Sequence, residues 1–355
     1  MKKAADHISA FIFFAVAAVF SVCMLLFSDN SFTLSSARDI SGQTEKHIKN
    51  EFPLISSWRS MYSSILSGTG QKMIGDVYIS DKGLIEIVSS ADDARTEAFV
   101  SKINDLASRH ENTAFFTMIV PTASGIYSEE LPMVINTLDQ QKFIDDVYFR
   151  LDSSVHSLDA YSPLFSSRDD YVYFRTDDHW TEYGAYMVYS RVIRKLGFTP
   201  IRLSNYDLEY AERSYYGNLY SKTYFQGVQP DLINIFRNKN GSFVTDVTSW
   251  AEGEIYTSTS LYYTPALSSD EELDVFLGGS YFEKCTVNTT NTEAPKLLII
   301  KGDYANMFVP FLTPHYSEIT LIDPARLGER TIEDTVDIDS YDQVLVLYDA
   351  GQLTK

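Results

Sequence analysis

Hydrophobic residues fall into short continuous runs separated by segments with helical spacing, and this alternation sets the first expectation. Residues 114–120, 155–158, 296–301, 318–322 and 343–348 are strand-length runs rich in β-branched and aromatic side chains. Continuous runs, unlike alternating ones, suit strands covered on both faces, as in a parallel sheet. Residues 273–277 read as one more strand. Segments 91–110, 138–151 and 182–196 carry helical spacing, the last with Thr181 placed to cap it and Gly197 to stop it. Residues 75–88 are two alternating runs joined by Ser80-Asp81-Lys82-Gly83, the pattern of a β-hairpin. The rhythm predicts an α/β fold with a mostly parallel sheet flanked by helices.

Two regions depart from it. Residues 8–27 form an uncharged run, long enough as a helix to cross roughly 30 Å of hydrocarbon. Lys2 and Lys3 on its short side keep that end cytoplasmic, so the bulk of the chain is expected outside the membrane. No Ala-x-Ala-like site follows the run, and Val22 before Cys23 makes a poor lipobox, so an uncleaved single-pass anchor is expected. The organisation predicted is a cytoplasmic tip and transmembrane anchor at 1–30, a Ser-rich juxtamembrane spacer at 31–72, and one extracytoplasmic domain at 73–355. Residues 200–270, rich in Tyr, Ser, Asn and Gly, are read as an irregular insertion in that domain.

With 355 residues, 45% hydrophobic and 14% aromatic, the chain has ample material for a core. A formal net charge of -19 argues against a nucleic-acid partner and against an anionic lipid surface holding the main domain. Cys23 lies in the apolar run and Cys285 stands alone, so no internal disulfide is expected. Tyrosines concentrate in 200–270, where their amphipathic rings suit sugar faces and equally suit plain packing.

The chemistry gathers at residues 171–186. Asp177, Asp178 and His179 sit on the turn between a strand-like Val172-Tyr173-Phe174 and the helix entered at Glu182. An Asp two residues before a His can steer its imidazole, and turns at strand ends are where α/β folds place chemistry. Arg175 is a candidate clamp for an anionic group or an ion-pair partner, and Trp180 a core residue. One imidazole without thiolates is a weak zinc set, so no metal and no cofactor are expected.

Thr176-Asp177-Asp178-His179-Trp180-Thr181 followed by Tyr183-Gly184-Ala185-Tyr186 resembles the Thr-Asp-His-His-Trp-Thr signature of the bacterial DHHW proteins. These resemble the SGNH-hydrolase-like domain of the alginate O-acetyltransferases, in which an Asp-x-His pair and a later Ser form a triad. The resemblance runs from about Gly75 to the C-terminus and implies an SGNH-hydrolase-like (flavodoxin-like) sheet. It also implies a role in acylating a cell-envelope polysaccharide or exopolysaccharide alongside a membrane-bound acyltransferase.

At the second anchor, relatives read Asp-Ser-Tyr-Ala-Asn where this chain reads Gly302-Asp303-Tyr304-Ala305-Asn306. The nucleophile position is therefore Asp303. Losing a triad serine costs on the order of 10⁶ in turnover, so the resemblance implies a degenerate triad of Asp177, His179 and Asp303. Asp303 is expected to accept a hydrogen bond from His179. Gly278 and Gly279 are candidate oxyanion donors, Ser280 a candidate relocated nucleophile, and Tyr304 and Asn306 site-lining residues. Two alternatives stay open: a glycan-active enzyme using Asp303 and Asp177 as a carboxylate pair, and a non-catalytic polysaccharide-binding scaffold.

Overall fold

The computed structural model describes residues 55–354 except Glu252 and Ser280. The 8–27 run expected to cross the membrane lies outside the described residues, and among these no helix is long and apolar enough to do so. Contacts divide the chain into two units. In the smaller, helix α1 (Ile55–Gly68) carries Trp58, Met61, Tyr62 and Ile65 at i, i+3, i+4, i+7 spacing, all exposed. The larger comprises Met73–Lys222 and Gly227–Lys355.

The larger unit opens with three short antiparallel strands, β1 (Met73–Ile74), β2 (Val77–Ile79) and β3 (Leu84–Glu86). Ser80 and Gly83 close the predicted hairpin through reciprocal backbone bonds of 2.9 and 3.3 Å. The main sheet uses β4 (Ala114–Val120), β5 (Val155–Asp159), β8 (Val244–Ala251), β9 (Glu254–Ser258), β10 (Lys284–Thr289), β11 (Lys296–Lys301), β12 (Glu318–Ile322) and β13 (Gln343–Asp349). Its eight strands run in the order β5-β4-β13-β11-β12-β10-β8-β9. Every pairing from β5 to β12 is parallel, and β10, β8 and β9 add on antiparallel. The remaining pair, β6 (Tyr206–Tyr215) and β7 (Asp231–Asn238), is a separate antiparallel ribbon.

The helices of the unit include α2 (Asp93–Arg109), α3 (Gln140–Arg150), α4 (Glu182–Val192), α5 (Ala305–Leu312) and α6 (Ala350–Thr354). Thr181 caps α4 as expected, its Oγ1 accepting from Gly184 N at 3.1 Å. The central parallel strands are nearly free of solvent, as their unbroken apolar runs predict.

Three expectations need correction. Residues 172–174 form only a bridge, Tyr173 opposite Trp180, because the chain folds straight back at the Asp-Asp-His turn. Residues 272–275 are 3-10 helix, not strand. The strands of the 200–270 insertion are irregular only in part: the β6–β7 ribbon shifts register twice, but β8 and β9 extend the main sheet.

Candidate functional site

Asp303 follows the C-terminal end of β11, Asp349 ends β13, Thr122 and Ala123 follow β4, and His179 lies on the turn into α4. All of them line one cavity of about 400 Å³, with Glu86, Arg95, Asp178, Tyr304, Tyr348 and Gln352 among the other wall residues. Ligands of open parallel sheets bind outside the carboxyl ends of the strands, which is where this cavity sits.

The two turns, more than 120 residues apart, are pinned by aromatics. Trp180, fully buried, donates from Nε1 to the Tyr304 carbonyl at 3.1 Å. Tyr304 returns a bond from its hydroxyl to the Asp178 carbonyl, and its ring lies 5.2 Å from the His179 ring and 5.5 Å from that of Trp180. Buried indole and phenol groups need polar partners, and here each finds one on the opposite turn.

His179 is held from behind. Its Nδ1 lies 2.6 Å from Asp177 Oδ1 and 3.1 Å from Asp178 Oδ1, and Asp177 Oδ1 also accepts the His179 N–H at 3.0 Å. Asp177 is 3% exposed, and its other oxygen accepts from the Tyr215 hydroxyl at 2.8 Å and Asn218 N at 3.0 Å. Burial alone would lower the imidazole pKa, but Asp177 and then Asp178 hold it well above its ordinary value. Burial opposes ionisation of Asp178 too, yet the His179 hydrogen bond and charge, helped by Asn218 and Lys222, hold its carboxyl well below the usual range. At neutral pH the unit is an imidazolium with carboxylates on one nitrogen. Nε2 makes no hydrogen bond among the described residues.

The expected His179 to Asp303 hydrogen bond does not form. Asp177 and Asp178 take Nδ1, Nε2 has no partner among the described residues, and Asp303 Oδ2 is turned to Gln352, accepting from its Nε2 at 2.9 Å. Asp178 is the second partner of the imidazole. Arg175 is not a wall residue of the cavity: its guanidinium stacks 4.4 Å over Tyr171, with Nη1 3.9 Å from Asp231. Gly279 and Asn306 are also off the wall. The Gly279 N–H donates to Phe276 O at 3.0 Å, so it is not an oxyanion donor, and Asn306 Nδ2 ties the Gly279 carbonyl down at 2.8 Å. Ser280 lies outside the described residues. Tyr304 lines the cavity as expected.

Asp177, Asp178 and His179 also lie close enough together to hold an ion. Their ligand atoms already answer one another through Nδ1, however, and the second Asp177 oxygen is bonded to Tyr215 and Asn218.

Several contributors carry no local signal in the sequence. Asp231, with a fully buried side chain, accepts from Arg175 N and Thr176 N at 2.7 Å each and from the Tyr171 and Thr176 hydroxyls, stapling β7 under the site turn. Tyr215 and Asn218 come from the same region. Gly217 is required because a Cβ there would lie 2.3 Å from Asp177 Oδ2. Asp349 had a readable signal, a carboxyl ending an apolar strand. It is 5% exposed, and burial, helped by Asp178 and Asp303 and opposed by the Gln352 N–H and His179, pushes it up to about 7.

The family model described as DHHW protein matches residues 61–322. No curated protein matches the chain. Among solved structures, Bacillus cereus PatB1 with a sulfonyl adduct superposes with a TM-score of 0.68 at 18% identity, over 79% of this chain and 96% of that one. A DHHW family protein from Eubacterium siraeum gives 0.66 at 21% identity, over 79% and 91%. The O-acetyltransferase domain of Pseudomonas putida AlgJ gives 0.47 at 13% identity, over 78% and 91%. At these identities the likeness is one of fold, and it rests on the first two.

Proposed function

The chain belongs to the DHHW protein family, and from that premise we propose that it is a glycan-binding protein at the outer face of a bacterial membrane that has lost serine-dependent acyl transfer. One observation carries the reading: the cavity that His179 faces has Asp303 where the family resemblance expects a hydroxyl nucleophile. A carboxylate attacking an ester would give a labile anhydride, and it has no proton to hand to a base. The imidazole is also poorly suited to be that base, because a ring held protonated by Asp177 and Asp178 has no lone pair at Nε2. The resemblance to alginate O-acetyltransferases supports a polysaccharide as the ligand and a membrane-bound acyltransferase as the partner. The apolar run at 8–27 behind Lys2 and Lys3 supports a membrane anchor with the domain outside.

The test is incubation of purified full-length protein with p-nitrophenyl acetate, following nitrophenol release and intact mass. Release at the buffer rate with no acetylated protein is expected. Asp303→Ser is expected to become acetylated, faster toward alkaline pH as His179 loses its proton. Acetyl release by the unmodified protein that disappears in His179→Ala would refute the reading.

A second reading, glycan chemistry by two carboxyl groups, draws on a specific observation. Asp177 has both oxygens engaged behind His179, but Asp349 shares the cavity with Asp303, and burial pushes its pKa up to about 7. Release of new reducing ends from envelope polysaccharide, lost in Asp349→Asn, would favour it over simple binding.

A further inference from the structure

We propose that the cavity recognises the primary ammonium group of an amino sugar, with the Asp349 carboxyl at its floor and the Asp303 carboxylate at its rim as acceptors. The proposal rests on the glycan-binding reading above and adds the chemistry of the ligand.

Four carboxyl side chains line the cavity: Glu86, Asp178, Asp303 and Asp349. Two are answered by cations, Glu86 by Lys222 Nζ and Asp178 by the imidazolium 3.1 Å away. The other two are answered by neutral groups. Asp303 Oδ2 takes the Gln352 amide at 2.9 Å, and Asp349 Oδ1 takes Gln352 N at 3.0 Å. Asp349 is 95% buried, as its 5% exposure implies, and its Oδ2 has no hydrogen-bond partner among the described residues. Arg95, the other cation on the wall, is turned to the Gln352 carbonyl at 3.3 Å.

A second acceptor is also unanswered. Gln352 Oε1 is buried without a partner, and its orientation follows from Nε2, which must face the Asp303 carboxylate. A Cβ at residue 302 would lie 2.0 Å from that oxygen, so Gly302 makes the room for this amide. Asp349 Oδ2 is an acceptor, so the partner it lacks is a donor, and a nearly buried carboxyl that the His179 charge reaches but no cation pairs directly favours a positive one.

A metal ion fits less well. Among the described residues the group of close ligand atoms is Asp177, Asp178 and His179, not Asp303 and Asp349. An ammonium offers three rotatable donors and tolerates acceptors that do not converge on one point. The cavity volume suits a small ligand, and the part-exposed Tyr348 on its wall offers an amphipathic ring to a sugar face.

The experiment is calorimetric titration of the full chain near pH 7, where the Asp349 carboxyl can give up its proton as an ammonium approaches and a large share of the probe amines is charged. Glucosamine oligomers, N-acetylglucosamine oligomers of equal length and an oligolysine of equal charge are compared. The glucosamine oligomer is expected to bind at least about tenfold tighter than either, with Asp349→Asn and Asp303→Asn each erasing that preference. Equal affinity for both sugars, or a preference that survives in both variants as plain attraction to an acidic surface, would overturn the ammonium assignment and leave the glycan reading standing. Oligolysine bound as tightly would overturn the sugar assignment. Binding of neither sugar would remove both readings together.

Discussion

Replacing Asp177 by Asn should lower the raised pKa of His179, leaving Asp178 as its remaining acid partner, and destabilise the fold in a pH-dependent way. The carboxylate accepts four hydrogen bonds: His179 Nδ1 at 2.6 Å, His179 N at 3.0 Å, Tyr215 Oη at 2.8 Å and Asn218 N at 3.0 Å. An amide has one acceptor oxygen, so whichever way it is turned its NH₂ faces a buried backbone N–H. Breaking one side of a buried ion pair costs roughly 3–5 kcal/mol, and leaving a neutral donor unmet about 1–3. Because the folded imidazole titrates above 6.5, the pair's contribution is fully present below that value and is lost as pH rises through the folded pKa. The expected loss is therefore about 4 kcal/mol near pH 6, falling to about 2 near pH 10. Urea unfolding at both pH values, with an NMR titration of the His179 ring, measures both quantities. A wild-type imidazole titrating near 6.5, or the same loss at both pH values, would refute the reasoning.

Other substitutions probe the same frame. Asp349→Asn should stabilise the protein at alkaline but not at acid pH: the folded carboxyl binds its proton up to about 7 against 3.8 unfolded, so stability falls across that window. Thermal melts near pH 8 and pH 4 would show the difference, bounded at about 4 kcal/mol. Gly217→Ala should push Asp177 off His179, costing roughly 1–3 kcal/mol and lowering the imidazole pKa, read in the same NMR titration. Asp231→Ala should cost about 3–5 kcal/mol and expose the Arg175 and Thr176 amides to hydrogen exchange, since the staple that protects them is gone.

The parallel strands, the hairpin at Ser80–Gly83, the Thr181 cap and the Asp-Asp-His turn were all legible in the chain. Each is settled by side-chain periodicity or by a hydrogen bond reaching a few residues, both of which are local. The same locality explains the misreadings. Residues 172–174 have strand-like composition, but the return of the chain at His179 leaves them only one bridge. The four strands of the tyrosine-rich segment 200–270 left no clear alternation to read, since β6 and β9 are mostly exposed along their length.

What the sequence by itself determined is which chemical groups exist and which elements carry them: an imidazole two residues after an Asp, and an acid at the position where relatives hold a hydroxyl. What tertiary structure decided is who answers whom. Tyr215, Asn218 and Asp231 reach the site turn from the β6–β7 ribbon and the segment joining its strands, some 40 to 55 residues away, Gln352 takes the bond expected of His179, and Asp349 becomes a buried acid beside Asp303. These pairings depend on how crossover connections bring strand ends to one sheet edge. Burial there sets the charge of each group, and neither the edge nor its dielectric is a property of any short stretch of chain.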